Sequence, residues 1–89
     1  MKVYIVKIFN DIENNYQGID DTEITVCKDK STAQSILSNE LDDTLAYFKR
    51  KYDEEIEDLD YEYPDNHLSF HVNNGKDYIS GVIEEKEVL

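Results

Sequence analysis

The residues of this chain most capable of chemistry are its two histidines and its single cysteine. His67 and His71 have the spacing that brings two imidazoles to one zinc ion on a helix, but their segment alternates like a β-strand. Four strand residues span ~13 Å, too far for two nitrogens that must each lie ~2 Å from one metal. Cys27 follows an apolar segment, and no sequence signal places a base beside it. We therefore predict two strand histidines, a structural thiol and no catalytic site.

A run of carboxylates near the middle of the chain also invites a metal-binding interpretation. Asp58, Asp60 and Glu62 match the first three ligand positions of a calcium-binding loop. The sixth position of such a loop requires glycine and the twelfth requires glutamate, whereas this chain has Tyr63 and Ser69 there. The motif therefore fails at both positions, and the sequence predicts no metal and no cofactor.

The same acidic segment is interpreted more readily as an interaction surface. Eight carboxylates fall between residues 53 and 65 without one basic residue among them. On a helix, carboxylates three or four residues apart lie ~5–6 Å from each other, so they would imitate a row of nucleic acid phosphates. Interleaved tyrosines would add contact area, as in binding hot spots. The predicted partner-binding residues are Asp53, Glu54, Glu57, Asp58, Asp60, Tyr61, Glu62 and Tyr63.

The formal net charge of -12, from 21 acidic and 9 basic residues, narrows the class of partner. It disfavours direct binding to nucleic acid or to anionic membranes, and it favours a basic protein surface such as that of a nucleic-acid-binding enzyme. The plainer alternative is that the charge, including the acidic segment, only keeps the protein soluble. The basic run Lys49-Arg50-Lys51 has a structural explanation, because cations near a helix C-terminus complement its dipole.

Periodicity predicts the elements that position these residues. The predicted elements are, in chain order, a strand at 2–9, a strand at 22–27, a helix at 31–53, and a hairpin of strands at 67–73 and 77–88. The first strand is nearly continuously apolar, as a central buried strand would be. Ser31 and Gln34 match a capping box at the helix start, and the helix has an alternative end at Leu59. The dipeptide Asn74-Gly75 suits a type I′ turn.

This β-β-α-β-β order predicts a single α+β domain over residues 1–89. Its sheet would have four antiparallel strands, with the one main helix packed on a face. Ile24 and Val26 point to one side of the second strand, which predicts a half-buried strand paired with the first. Neither a signal peptide nor a membrane span is evident, and a lone cysteine suits a reducing compartment, so we expect a cytoplasmic protein.

Three segments carry a resemblance to known proteins. Lys2–Val6, the helix opening Lys30–Ala33 and the C-terminal Ile83–Val88 resemble small proteins of unknown function from phages and mobile elements of low-GC Gram-positive bacteria. The resemblance covers a minor part of the chain, and the long acidic insert between helix and hairpin departs from it. It implies a phage setting, in which small proteins include inhibitors of host defence such as anti-CRISPR proteins, several of them acidic nucleic-acid mimics.

Functions from different classes remain open at this point. The first is an acidic inhibitor that mimics nucleic acid and occupies the basic surface of a host defence nuclease, with binding that weakens steeply as salt rises. The second is a small structural or adaptor module that acts by protein–protein association without mimicry, and that can form a homodimer through a sheet edge or its tyrosines. An enzyme or a metal protein is the third, which the missing motifs disfavour.

Overall fold

A computed structural model describes residues 1–12 and 21–88 of the chain. In this part of the chain one α-helix packs on one face of a five-stranded antiparallel sheet, with strand order β2-β1-β5-β4-β3. The elements are β1 (Lys2–Ile12), β2 (Asp21–Cys27), α1 (Lys30–Tyr52), a 3-10 turn (Ile56–Asp58), β3 (Asp60–Glu62), β4 (Ser69–Asn73) and β5 (Asp77–Glu87). The predicted α+β class, with one helix and an antiparallel sheet, is confirmed, whereas the predicted strand number of four is wrong.

The two longest strands form the centre of the sheet. β1 and β5 are each 11 residues long and pair along their whole length, and β1 pairs with β2 on its other side, as predicted. Successive side chains of a strand point to opposite faces. Val6 and Ile8 of β1 are therefore buried beneath α1, whereas Ile5 and Phe9 lie on the opposite face, which no described helix or strand covers.

The predicted apolar stripe of α1 supplies the other half of the core. Its buried residues are Ala33, Leu37, Leu41, Thr44 and Phe48. The predicted capping box at Ser31 does not form, because the helix begins at Lys30, after Asp29, and the Asp29 side chain makes no capping hydrogen bond. Gln34 instead donates a hydrogen bond of 3.2 Å to the backbone carbonyl of Asn66.

The alternative helix end at Leu59 is also wrong, because α1 ends at Tyr52. Asp53 adopts the left-handed conformation with φ of 54°, and its N–H donates to the carbonyl of Lys49 at 3.0 Å. A left-handed residue at this position is a common way to stop a helix. The chain then forms the 3-10 turn and β3. The sequence did not predict this fifth strand because two of its three residues, Asp60 and Glu62, are of types that are depleted in strands.

The turn between β4 and β5 differs from the predicted type I′ turn. That turn type requires positive φ at two residues, and Gly75, with φ of 88°, is the only one of residues 74–76 that has it. The Asn74 side-chain carbonyl instead accepts hydrogen bonds from the N–H groups of Lys76 and Asp77, each at 2.9 Å. The predicted strand at 67–73 begins at Ser69, because His67 adopts a left-handed conformation with φ of 55°.

Gly81 of β5 allows the helix and the sheet to approach closely. A Cβ atom at this position would lie 2.6 Å from Phe70 Cε2, 2.8 Å from Leu37 Cδ1 and 2.9 Å from Ile8 Cδ1. All three atoms belong to buried side chains of the core. The missing side chain therefore makes room for its neighbours, which is a recognised use of glycine within a strand.

We expect Gly81→Ala to lower the free energy of unfolding by about 2 kcal/mol, because an extra methyl overpacks a filled core. Urea denaturation followed by circular dichroism measures this change. Ser80→Ala is the matched control, since Ser80 lies on the uncovered face, and it should change stability by less than about 0.5 kcal/mol. Equal effects of the two substitutions would contradict the packing role of Gly81.

Candidate functional site

Three carboxylates of the acidic segment are engaged by the fold itself. Asp53 and Glu55 both form ion pairs with Lys49, and the Asp53 Oδ1–Lys49 Nζ distance is 3.0 Å. Hydrogen bonds to Glu55 and Asp53 raise the pKa of Lys49, so this lysine stays protonated. Glu54 Oε1 accepts a hydrogen bond of 2.7 Å from Asn74 Nδ2, which joins the end of α1 to the β4–β5 turn. These carboxylates therefore have structural partners.

The other carboxylates of the segment are exposed. Asp60 Oδ1 lies 3.4 Å from Nε2 of His71, which is a weak contact. No ion pair within residues 1–12 and 21–88 reaches the remaining four, which are Glu57, Asp58, Glu62 and Asp65. Negative charge is therefore concentrated, and locally uncompensated, around β3 and the 3-10 turn that precedes it.

An edge strand, rather than a helix, sets the spacing of these acids. The predicted helical row from Asp53 to Asp58 does not form, because α1 has ended and only a three-residue 3-10 turn follows. In β3, Asp60 and Glu62 alternate with Tyr61, so both carboxylates point to the uncovered side of the sheet. Residues two apart on a strand are separated by ~6.8 Å. The two acids thus form a short, fixed pair at the outer edge of the sheet.

The two tyrosines of the predicted surface contribute mainly to the core. Tyr61 and Tyr63 are half-buried and pack against the hydrophobic core. Burial, followed by the proximity of Tyr63 and Asp42, raises the pKa of Tyr61. Tyr63 stacks on His67 with a centroid separation of 5.0 Å. Tyr61 therefore points away from the carboxylates of β3, and only the exposed parts of these rings are open to a partner.

A shallow depression lies on the uncovered side of the sheet, next to β3. Its volume is about 260 Å³, and its lining includes Phe9, Glu62, Ser69, His71, Tyr78 and Ser80. The His71 and Tyr78 rings stack, with centroids 6.1 Å apart and planes 13° from parallel. The depression places aromatic surface and hydroxyl groups directly beside the carboxylate of Glu62, an arrangement that suits contact with a cationic side chain.

A buried polar cluster near the C-terminal end of α1 was not predicted from the sequence. Asp77 is 0% exposed, and its carboxylate accepts a hydrogen bond from the Tyr47 hydroxyl and forms an ion pair of 3.0 Å with Lys51 Nζ. Lys51 also donates to the Tyr47 hydroxyl at 2.9 Å and lies over the Tyr52 ring. The only sequence signal was the four-residue spacing of Tyr47 and Lys51, which places them on one face of the helix.

This cluster stabilises the fold and is not open to a substrate. Burial, followed by the hydrogen bond to Asp77, raises the pKa of Tyr47. Hydrogen bonds to Tyr47 and Asp77 raise the pKa of Lys51. A fully enclosed carboxylate cannot touch a substrate. The contacts of Tyr47 and Lys51 with Asp77 instead attach the last turns of α1 to the first residue of β5.

A further acidic groove lies between α1 and the strands β1 and β2. Its lining includes Glu23, Glu40 and Asp43. Burial, followed by the charges of Glu23 and Asp43, raises the pKa of Glu40. Among the described residues, no group of three or more histidine, cysteine, aspartate or glutamate side chains is arranged to hold a metal ion. The groove adds to the negative surface on the side of α1 that faces away from β3.

Comparison with known proteins found no matching family model, no matching curated protein and no matching solved structure. No helix of the described residues is long and apolar enough to cross a membrane.

Asp77→Asn should lower the free energy of unfolding by about 2 kcal/mol, because the buried carboxylate is the charged acceptor for the Tyr47 hydroxyl and for the exposed Lys51 ammonium. Chemical denaturation at neutral pH measures the change. Asp60→Asn is the matched control, since it removes an exposed carboxylate whose contact with His71 is worth less than about 1 kcal/mol. A loss for Asp77→Asn no larger than that of the control would contradict the stabilising role of the cluster.

Stability should also fall as the pH rises above about 10, the ordinary pKa of tyrosine. The pKa values of Tyr47 and Lys51 are raised in the folded protein, so folding favours their protonated forms. Their contribution is complete below the unfolded pKa values and is lost as the pH rises through the folded ones. Urea unfolding between about pH 8 and pH 11 should show a shallower decline for Tyr47→Phe. Parallel declines would show that Tyr47 does not cause the effect.

Proposed function

We propose that this protein is an acidic inhibitor that binds the basic nucleic-acid-binding surface of an enzyme, such as a host defence nuclease. The observation that carries the proposal is the group of exposed carboxylates around β3. Of the predicted binding residues, Glu57, Asp58 and Glu62 have no ion pair among the described residues, and Asp60 has only the long contact with His71. These four carboxylates are the binding surface that we propose.

Electrostatics supports a cationic partner for this surface. Like charges that lie close together destabilise a fold, and here no lysine or arginine of the described chain offsets them. A partner that presents lysine or arginine side chains would remove this repulsion on binding. Carboxylates accept two parallel hydrogen bonds from arginine, as phosphates do, so they can satisfy groups that normally hold nucleic acid.

The geometry of β3 favours a partner that contacts its side chains over one that pairs with its backbone. β3 is the outer strand of the sheet, and charged side chains on an edge strand discourage the addition of another strand. Asp60 and Glu62 are held ~6.8 Å apart by the strand, which is about twice the axial spacing of charges along one nucleic acid strand, ~3.4 Å. The resemblance to phage proteins suggests an inhibitor of the anti-CRISPR kind.

Neutralising the binding surface should abolish inhibition without unfolding the protein. The variant Glu57→Gln, Asp58→Asn, Glu62→Gln removes three exposed charges, and we expect the concentration for half-inhibition to rise at least about tenfold. The assay is cleavage of duplex DNA by a guide-loaded CRISPR effector nuclease and by a restriction endonuclease. Direct binding to the inhibited enzyme should weaken as ionic strength rises above ~0.1 M, where the Debye length is ~10 Å.

The matched control changes the same total charge elsewhere. Asp43→Asn, Glu85→Gln, Glu87→Gln also takes the net charge from -12 to -9, since each variant removes three negative charges, and its exposed ion pairs contribute little stability. Inhibition by this control should match that of the parent. Equal losses in both variants, unchanged inhibition in the first, or no inhibition of either enzyme by the parent would overturn the proposal.

One observation favours the second candidate, a structural or adaptor module that acts by protein–protein association without mimicry. The sheet face opposite α1 carries exposed apolar side chains, including Ile24 and Val26 of β2. An acidic inhibitor does not need such a surface. Contiguous exposed apolar patches commonly mark interaction sites, so this face requires an explanation of its own.

A further inference from the structure

The uncovered face of the sheet holds a group of apolar side chains arranged around Lys7. Ile24 is 62% exposed and Val26 is 64% exposed, and both lie on the side of β2 that faces away from α1. Val26 is paired with Ile5 of β1, and Ile24 is paired with Lys7. Phe9 of β1 is also exposed, and Val82 of β5 is paired with Lys7. These residues are neighbours on three adjacent strands, so they form one surface and not scattered exposures.

β1 carries apolar side chains on both of its sides, although Lys7 and Asp11 also lie on its uncovered side. Val6 and Ile8 point to the core beneath α1, whereas Val3, Ile5 and Phe9 point to the other side. Strands that are buried on both faces have such nearly continuous apolar runs, whereas half-solvated strands alternate with polar residues. The described chain provides only two layers, and its smallest dimension is 16 Å. A third layer would complete the burial that the sequence of β1 favours.

The charges on the β1, β2 and β5 part of this face balance, whereas Asp60 and Glu62 of β3 add two negative charges at its far edge. On the uncovered side of β1, β2 and β5, the charged residues are Lys7, Lys86, Asp11 and Glu84. Lys7 Nζ and a Glu84 carboxylate oxygen lie 3.1 Å apart. Two cations and two anions give no net charge, in a chain with a net charge of -12. This balance does not select a cationic partner, and it avoids local repulsion where these strands of two copies would meet.

We infer that a second copy of this chain covers the uncovered face, so that the protein forms a homodimer of two sheets packed face to face. Packed sheets lie ~10 Å apart with their strands within ~30° of each other. In a two-fold dimer the same patch meets itself, so apolar side chains meet apolar side chains, and Lys7 and Glu84 can pair within or between copies. β3 lies at the opposite edge of the sheet from β2, so the acidic edges can remain outside the contact.

The size of the face suits a dimer of moderate affinity. β1, β5, β2 and β4 contain 11, 11, 7 and 5 residues. At ~3.4 Å per residue and ~4.8 Å between strands, they cover roughly 550 Å² of flat sheet. Standard interfaces bury about 800 Å² of accessible surface per partner, and a corrugated sheet exposes more than its flat area. We therefore expect a dissociation constant in the micromolar range.

Sedimentation equilibrium of the full chain, from about 5 to 500 μM at neutral pH, tests the dimer. The expected result is a rise from monomer to dimer mass across this range. Raising the salt should leave the association unchanged or strengthen it, because the interface is apolar and salt screens the repulsion between two acidic copies. A monomer at every concentration, or a dimer that salt dissociates, would overturn the inference.

Val26→Glu and Thr25→Glu locate the interface. Both substitutions add one negative charge to β2 at exposed positions, but only Val26 is on the uncovered face, since Thr25 pairs with the core residue Val6. We expect Val26→Glu to raise the dissociation constant at least about tenfold and Thr25→Glu to leave it nearly unchanged. A dimer that both variants retain, or that both lose, would place the contact elsewhere and contradict the inference. Circular dichroism and thermal unfolding confirm that both variants are folded.

This test is independent of the inhibitor proposal. Variants of Glu57, Asp58 and Glu62 should lose inhibition and keep the dimer mass, whereas Val26→Glu should lose the dimer and keep inhibition by the monomer. Salt acts in opposite directions on the two interactions, because one joins unlike charges and the other joins apolar surfaces of like-charged copies. Failure of either proposal can therefore be recognised without reference to the other.

Discussion

The contact between α1 and one face of the sheet is the interaction on which the rest of this structure depends. Phe48, Leu37 and Ala33 of the helix are fully buried against strand residues such as Val6 and Val72. A domain of 89 residues buries a smaller fraction of its surface than a larger one, so its stability margin is small. Within the described residues, this single core layer leaves one sheet face uncovered. The close approach at Gly81 and the ion pair of the buried Asp77 therefore account for a larger share of a small total stability.

The regular elements were predictable because their signals are periodic and local. The apolar spacing of α1 and the alternation of β2 follow from the geometry of helices and strands, so the antiparallel pairing of β1 and β2 and the single helix were predicted. The helix end was predicted at residue 53, within one residue of Tyr52. The wrong alternative at Leu59 stayed open because Asp53 adopts a left-handed conformation that a glycine would have indicated and an aspartate does not. β3 was missed because a three-residue edge strand can be held by its pairing with β4 even though only Tyr61 among its residues favours strands.

The candidate site was predicted by composition but not by geometry. The acidic segment was recognisable from its charge, but the engagement of Asp53 and Glu55 by Lys49, and of Glu54 by Asn74, depends on where the helix stops. In the Asp77 cluster, Lys51 lies 26 positions and Tyr47 lies 30 positions before Asp77 in the chain. No local sequence pattern predicts a pairing over such a separation. The sequence also could not predict which face of the sheet Ile24 and Val26 lie on. Alternation identifies the two sides of a strand but not which of them α1 covers.

The strand order places the centres of the two surfaces at opposite edges of the sheet, although Phe9 of the apolar face and Glu62 of the acidic surface line one depression. β2 and β3 are the opposite edges of the sheet, so the exposed apolar residues of β2 and the exposed acids of β3 are as far apart as the sheet allows. This separation has a physical reason, because a desolvated carboxylate beside an apolar contact would lose its hydration without gaining a partner. An acidic edge and a neutral face can therefore act at the same time, and a face-to-face dimer would present two acidic edges. If both surfaces are used, a partner with two basic sites would bind the dimer more tightly than the monomer by effective concentration alone.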